Sequence, residues 1–229
     1  MKKIASLLAV SGIATLTSMQ VSAQSFEGFY GQAGVGFQSI VPSLSGVTIT
    51  APSGTQYGYN SSIDSTNSFT GTAALGYSFL ATPSFLVGIG AEYSPFAGQS
   101  GNIKYTSSTL TPSTINSSYK LNNTYNFYVS PGIVIDKQSV AYAKIGYASA
   151  SVNAGGSDSN STGYSLGLGY KRFVSGNLYA FGEGNYMSFG NKTTNGSGPW
   201  GGNGGGTYTS SVTSSANIYN FLVGIGYKF

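Results

Sequence analysis

The sequence predicts an all-β fold: a closed antiparallel up-and-down barrel, of eight strands, that spans a membrane. Three observations point there. Charged residues make up only 7% of the 229, against roughly 25% in an ordinary soluble domain, while Tyr, Phe and Gly number 18, 13 and 34. No stretch beyond residue 23 offers eighteen consecutive apolar residues, so helical spans are excluded. In their place come segments of about ten residues in which apolar residues alternate with small or polar ones, the pattern of a strand between lipid and lumen. A closed barrel is the remaining structure that satisfies every backbone polar group inside a bilayer.

The strands follow in order. Phe29, Gly31, Ala33, Val35 and Phe37 alternate with Tyr30, Gln32, Gly34 and Gly36. The second runs from Phe69 to Phe79 with Leu75 and Tyr77 outward and Thr70, Thr72, Gly76 and Ser78 inward. In the third, Phe85, Val87, Ile89, Ala91 and Tyr93 oppose Leu86, Gly88, Gly90 and Glu92. The fourth sets Tyr125, Phe127, Val129 and Ile133 against Asn126, Tyr128, Ser130 and Gly132. The fifth sets Ala141, Ala143, Ile145 and Tyr147 against Tyr142, Lys144, Gly146 and Ala148. The sixth has Tyr164, Leu166, Leu168 and Tyr170 outward, with Ser165, Gly167, Gly169 and Lys171 inward. Leu178 to Tyr186 is the weakest segment, because Tyr179 and Phe181 share a face with Glu183 and Asn185; a lipid-facing carboxylate is costly, so that face is placed inward. The eighth alternates from Tyr219 to Phe229, interrupted only by Leu222 on its polar face.

Connection lengths alternate as well. "ATPS" (Ala81 to Ser84), "DKQ" (Asp136 to Gln138) and the residues around Ser175-Gly176-Asn177 are short, whereas Gln38 to Asn67, Ser94 to Asn122, Ser149 to Gly163 and Ser188 to Ala216 are long. Short turns on the periplasmic side and four long loops outside are the usual asymmetry of outer-membrane barrels. This arrangement sorts the outward aromatics into two belts. Phe29, Phe79, Phe85, Tyr170, Tyr227 and Phe229 fall at the turn side, and Phe37, Phe69, Tyr93, Tyr147, Tyr164 and Tyr219 at the loop side.

The first residues supply the compartment. Met1-Lys2-Lys3 precedes a short apolar run, and Val21-Ser22-Ala23 has the small residues a signal peptidase reads. Residues 1–23 are therefore expected to be a signal peptide and 24–229 the barrel domain. Loss of Lys2 and Lys3 lowers the formal charge from +4 to +2, and the remaining basic residues are scattered, with no nucleic-acid footprint. This leader, the eight alternating segments and the C-terminal "GIGYKF" together resemble the small outer-membrane barrel family that includes the membrane domain of OmpA, OmpX and the opacity-type adhesins. The resemblance implies a location in the cell outer membrane and contact with its lipids. It also implies that Tyr227-Lys228-Phe229 is an assembly signal read by the barrel-assembly machinery. Unlike OmpA, no peptidoglycan-binding domain is expected.

Enzyme chemistry has little to draw on. There is no His and no Cys, and only six carboxylates, so neither a catalytic residue nor a metal site nor a cofactor is expected. "GVGF", "GIGA", "GLGY" and "GIGY" lie inside strands without the following helix a phosphate cradle needs, and inward glycine leaves room in a narrow lumen. Glu92, Lys144 and Glu183 lie at comparable heights in the lower lumen, with Lys171 near the base as a second cation. Buried charges persist when paired. Two readings stay open: a polar plug that fixes register, or a gate on a narrow conduction path. The loops are rich in Ser, Thr, Asn and Gly, and "GSGPWGGNGGGTYTSS" offers Trp200 and Tyr208 as candidate contacts for an external surface or host ligand. The functional expectation is a structural or adhesin-like surface protein. The alternative is a small passive channel, and a periplasmic lipocalin-like binder is disfavoured by its outward apolar faces.

Overall fold

The computed structural model describes residues 25–96, 98–107, 109, 114–199 and 205–229. The expected signal peptide and Trp200 lie outside the described residues. Eight long strands form the ring: β1 (Gly28–Thr50), β4 (Thr66–Thr82), β5 (Phe85–Ser94), β7 (Thr114–Asp136), β8 (Ser139–Ala154), β9 (Ser157–Ser175), β10 (Leu178–Pro199) and β11 (Thr207–Lys228). Three short ones, β2 (Gln56–Gly58), β3 (Asn60–Ile63) and β6 (Gly101–Thr106), stand at its loop end. Each long strand pairs antiparallel with its sequence neighbour in the ring. The seam closes where β1 meets β11, from Tyr30↔Lys228 up to Thr50↔Thr209. All eight expected strands are present in the expected order.

The alternation holds within them. Phe29, Phe37, Leu75, Phe127, Leu168 and Phe221 are each more than 60% exposed, a surface water would not tolerate but lipid does. The loop-side belt is continuous in places: Phe37 meets Phe69 edge-on at 6.1 Å, Tyr93 stacks on Tyr125 at 4.7 Å, and Tyr186 lies between Tyr164 and Tyr219. Tyr227 and Phe229 lie edge to face at 5.3 Å at the other end, both well exposed. The short turns also stand where expected. In the one after β7, Asp136 Oδ1 accepts the Gln138 N–H at 2.7 Å, which holds its carboxyl below the usual carboxylate range.

The four long loops need correcting. A span needs only about 9–11 strand residues, but β1 and β7 have 23 each and β10 and β11 have 22. Most of the residues read as loop continue the walls beyond the belt. The stretch from Ser149 to Gly163 is simply the top of the β8–β9 hairpin, reversed by Gly155 and Gly156 at φ 58° and 84°. Two consecutive left-handed residues make a tight hairpin turn that glycine accepts without strain. Tyr208 belongs to such a wall: it pairs with Gly198 across β10–β11 and its ring covers that glycine.

Two bulges mark the level at which the walls leave the belt. In β7 the register shifts between Leu121 and Asn123, and in β10 between Phe189 and Lys192. One extra residue flips the parity of everything beyond it. Thus β7 points Asn126 and Thr124 inward below its bulge but Leu121 and Tyr119 inward above it.

Candidate functional site: the charged lower bore

The bore is filled in layers. At the turn end Phe26 enters from below, stacks on Phe173 at 4.1 Å and meets Tyr179 edge-on at 6.0 Å; Leu86 and Val140 complete this apolar floor. Above it sits the charge cluster. Lys144 on β8 projects its ammonium between Glu92 of β5 and Glu183 of β10, with Nζ–O distances of 2.9 and 2.8 Å. The Tyr128 ring takes a further face of the same ammonium at 4.4 Å. Glu183 is saturated: Asn185 donates to Oε1 at 2.9 Å and Tyr142 to Oε2 at 2.7 Å. Asn185 then reaches Asn220 at 2.9 Å, and Ser165 donates to Asn126 at 2.8 Å on the other side. The three charged side chains are 1–3% exposed. Paired and hydrogen-bonded in this way they can stay ionised out of water, since a lone buried charge would be strongly destabilising.

Four tyrosines make the cluster fit. Tyr30, Tyr128, Tyr142 and Tyr179 each stand directly across a ladder from a glycine: Gly76, Gly90, Gly169 and Gly226 respectively. A Cβ at any of these glycines would collide with the facing ring. The inward glycines therefore serve as seats for aromatic side chains. Tyr30 and Tyr128 join hydroxyls at 3.0 Å across the bore, and Tyr179 donates to Gln32 at 3.1 Å. An eight-strand lumen has room for little more.

Of the four charged residues anticipated for this layer, Glu92, Lys144 and Glu183 come together. Lys171 does not join them. Among the described residues it makes no ion pair, and its ammonium lies instead over the rings of Phe26, Tyr30, Tyr142 and Tyr179 at 4.9–5.9 Å. The reason is positional: Lys171 pairs with Phe181 and Val140, a step nearer the floor, where aromatic faces are the available partners. Its positive charge still balances the second carboxylate of the layer. Asn126, Asn185, Asn220 and Phe26 were not singled out from the sequence. The first three lie on the same inward faces as the charged residues, which is the signal that could have found them; Phe26 precedes the first alternating segment and carries none.

No protein-family model and no curated protein matches the chain. Solved structures do. OprG, an outer membrane protein from Pseudomonas aeruginosa, is similar over 89% of this chain and 96% of its own, with 16% identity and a TM-score of 0.56. Neisserial surface protein A aligns over 89% and 98%, with 18% identity and a TM-score of 0.42. Ail, the attachment invasion locus protein of Yersinia pestis, aligns over 89% and 99%, with 12% identity and a TM-score of 0.40. The likeness to OprG is one of fold, and that fold is a small outer-membrane β-barrel.

Proposed function

We propose that the protein is a non-conducting outer-membrane barrel with a structural or adhesin-like surface role, its strand walls standing well beyond the lipid. The single observation that carries this reading is the closed lower bore: an aromatic floor and, above it, a charge cluster whose members are 1–3% exposed. The outward apolar surface, with its two aromatic belts, fits a bilayer and disfavours a soluble binder. With the chain ends and short turns in the periplasm, the extended walls, including Tyr208, stand outside the cell. They offer a rigid polar surface to an external partner. Tyr227 and Phe229 are the residues the assembly machinery would read.

The passive channel is the rival, and it would need the cluster to part. Planar-bilayer recording of the refolded mature protein separates the two. A silent membrane is expected with wild type at neutral pH. Steady single-channel openings of appreciable size would overturn the non-conducting reading and return the cluster to the role of a gate.

A further inference from the structure

Above the polar layer the bore changes character. Ile40, Ile103, Tyr119, Leu121, Phe189 and Ile218 are 2–6% exposed and face inward, forming an apolar cluster. Beside them is a cavity of about 300 Å³ at the loop end. Hydrogen-bonded strands hold its walls apart, so side-chain collapse cannot close it as it would in a helical core. Its rim is hydroxyl-rich, with Ser159, Ser161, Thr194 and Ser214. Among the described residues Lys192 is the one charged group of its lining, and that ammonium donates to the Asn160 carbonyl at 2.8 Å. Tyr119 likewise spends its hydroxyl on the Asp64 carbonyl at 2.6 Å. The interior therefore presents mainly apolar surface, with the Lys192 ammonium and the Tyr119 hydroxyl already engaged. Below, the charged layer shuts the way down.

We propose that this cavity is a binding site for a small uncharged apolar molecule, taken up from the outer side and held without passage through the barrel. Dry apolar cavities bind such molecules readily, and one of about 150 Å³ accommodates benzene. Twice that volume suits two aromatic rings or a chain of about ten carbons, at the small end of ordinary ligand sites. A charged molecule would leave its charge unpaired against Ile and Leu side chains. The hydroxyl rim lets a polar tail reach water while the apolar body is buried.

The test uses the refolded mature chain in lipid nanodiscs, because detergent would compete for the cavity. The probe is 1-naphthylamine, a neutral fluorophore of two fused rings, with empty nanodiscs as the background. A saturable rise above that background is expected, and binding at least tenfold weaker for the anionic dye 5-aminonaphthalene-1-sulfonate, which has the same ring system. Ala150→Trp fills the cavity and should weaken neutral-dye binding at least tenfold, whereas Phe37→Ala on the lipid face should leave it unchanged. Should Ala150→Trp fail to show the heat-modifiable mobility of a folded barrel, Ser161→Trp at the half-exposed rim decides in its place. No saturable rise over empty nanodiscs, or wild-type binding by the folded Trp variant, would overturn the site. Equal affinity for the two dyes would overturn its assignment to an uncharged ligand. Conductance does not enter this result, so the closed-bore reading and the site stand or fall separately.

Discussion

The lower and upper bore share their walls and differ in nearly everything those walls carry inward. Below, Glu92, Lys144, Glu183 and four glycine-seated tyrosines fill the lumen with polar atoms, while Leu168, Phe127 and Phe221 face out. Above, Ile40, Leu121, Phe189 and Ile218 face in, and the outward positions become Ser, Thr and Asn along much of β1, β7, β10 and β11. The difference reflects what lies outside the wall. Where it is lipid, apolar side chains gain nothing by turning inward, and polar ones are confined to the lumen. Where it is water, the wall reverts to the rule of a soluble β-sheet with its apolar face buried. In β7 the bulge makes the exchange by flipping parity, turning Leu121 and Tyr119 inward, whereas Ile40, Phe189 and Ile218 keep the parity of the lower bore and change only in residue type.

The comparison can be broken most directly in the lower bore. Lys144→Met leaves Glu92 and Glu183 buried beside each other without their shared counter-ion and should cost roughly 3–5 kcal/mol. Urea unfolding in micelles measures it. A variant as stable as wild type would mean that the cluster does not hold this region together.

The upper bore should give less ground. Ile218→Ala removes a side chain 2% exposed, yet beside an existing cavity with contacts already missing on one side. The expected cost is about 2 kcal/mol, the low end for such truncations. If it exceeds that of Lys144→Met in the same assay, the ordering of the two regions is reversed.

The smallest effect on folding is expected outside both. The Phe229 ring is 58% exposed, so its packing contributes no more than the roughly 1.5–3 kcal/mol of a fully buried ring, and refolding in detergent should survive its deletion. In cells the same deletion should sharply lower outer-membrane levels while Phe85→Ala is tolerated. Equal abundance of the two variants would reduce Phe229 to an ordinary belt residue.

Much of this could be read before the structure. Period-two alternation in lipid is stringent, because a one-residue slip would put Lys144 or Glu183 into hydrocarbon. Hence eight strands, their facing and three of the four charged partners follow from the residues alone. Lys171 escaped because period two assigns a face but not which neighbour is nearest in height. The upper cavity escaped for two reasons. Ile40, Ile103, Tyr119 and Leu121 sit in stretches whose Ser, Thr, Asn and Gly content looks like loop. The bulges then shift the phase within β7 and β10, so an alternation counted from the belt points Leu121 the wrong way. The tyrosine–glycine pairs were visible one strand at a time but become pairs only once register is known.

The seam between β1 and β11 has a consequence for how the molecule comes together. Most neighbours in the ring are consecutive hairpins, formed over short stretches of chain, whereas Tyr30 and Lys228 meet across nearly the whole described length. Joining ends separated by about two hundred residues costs on the order of 5 kcal/mol of chain entropy when the intervening chain is loose. Once the hairpins have zipped into a curved sheet, most of that freedom has already gone. Until the last ladder forms, β1 and β11 are two bare edges of one sheet, each able to pair with another copy. Phe26, leading β1 and packing on Phe173 of β9 and Tyr179 of β10, reaches across the bore toward the far side of that opening. It gives the unclosed sheet an internal latch, and favours closure on itself over joining a neighbour.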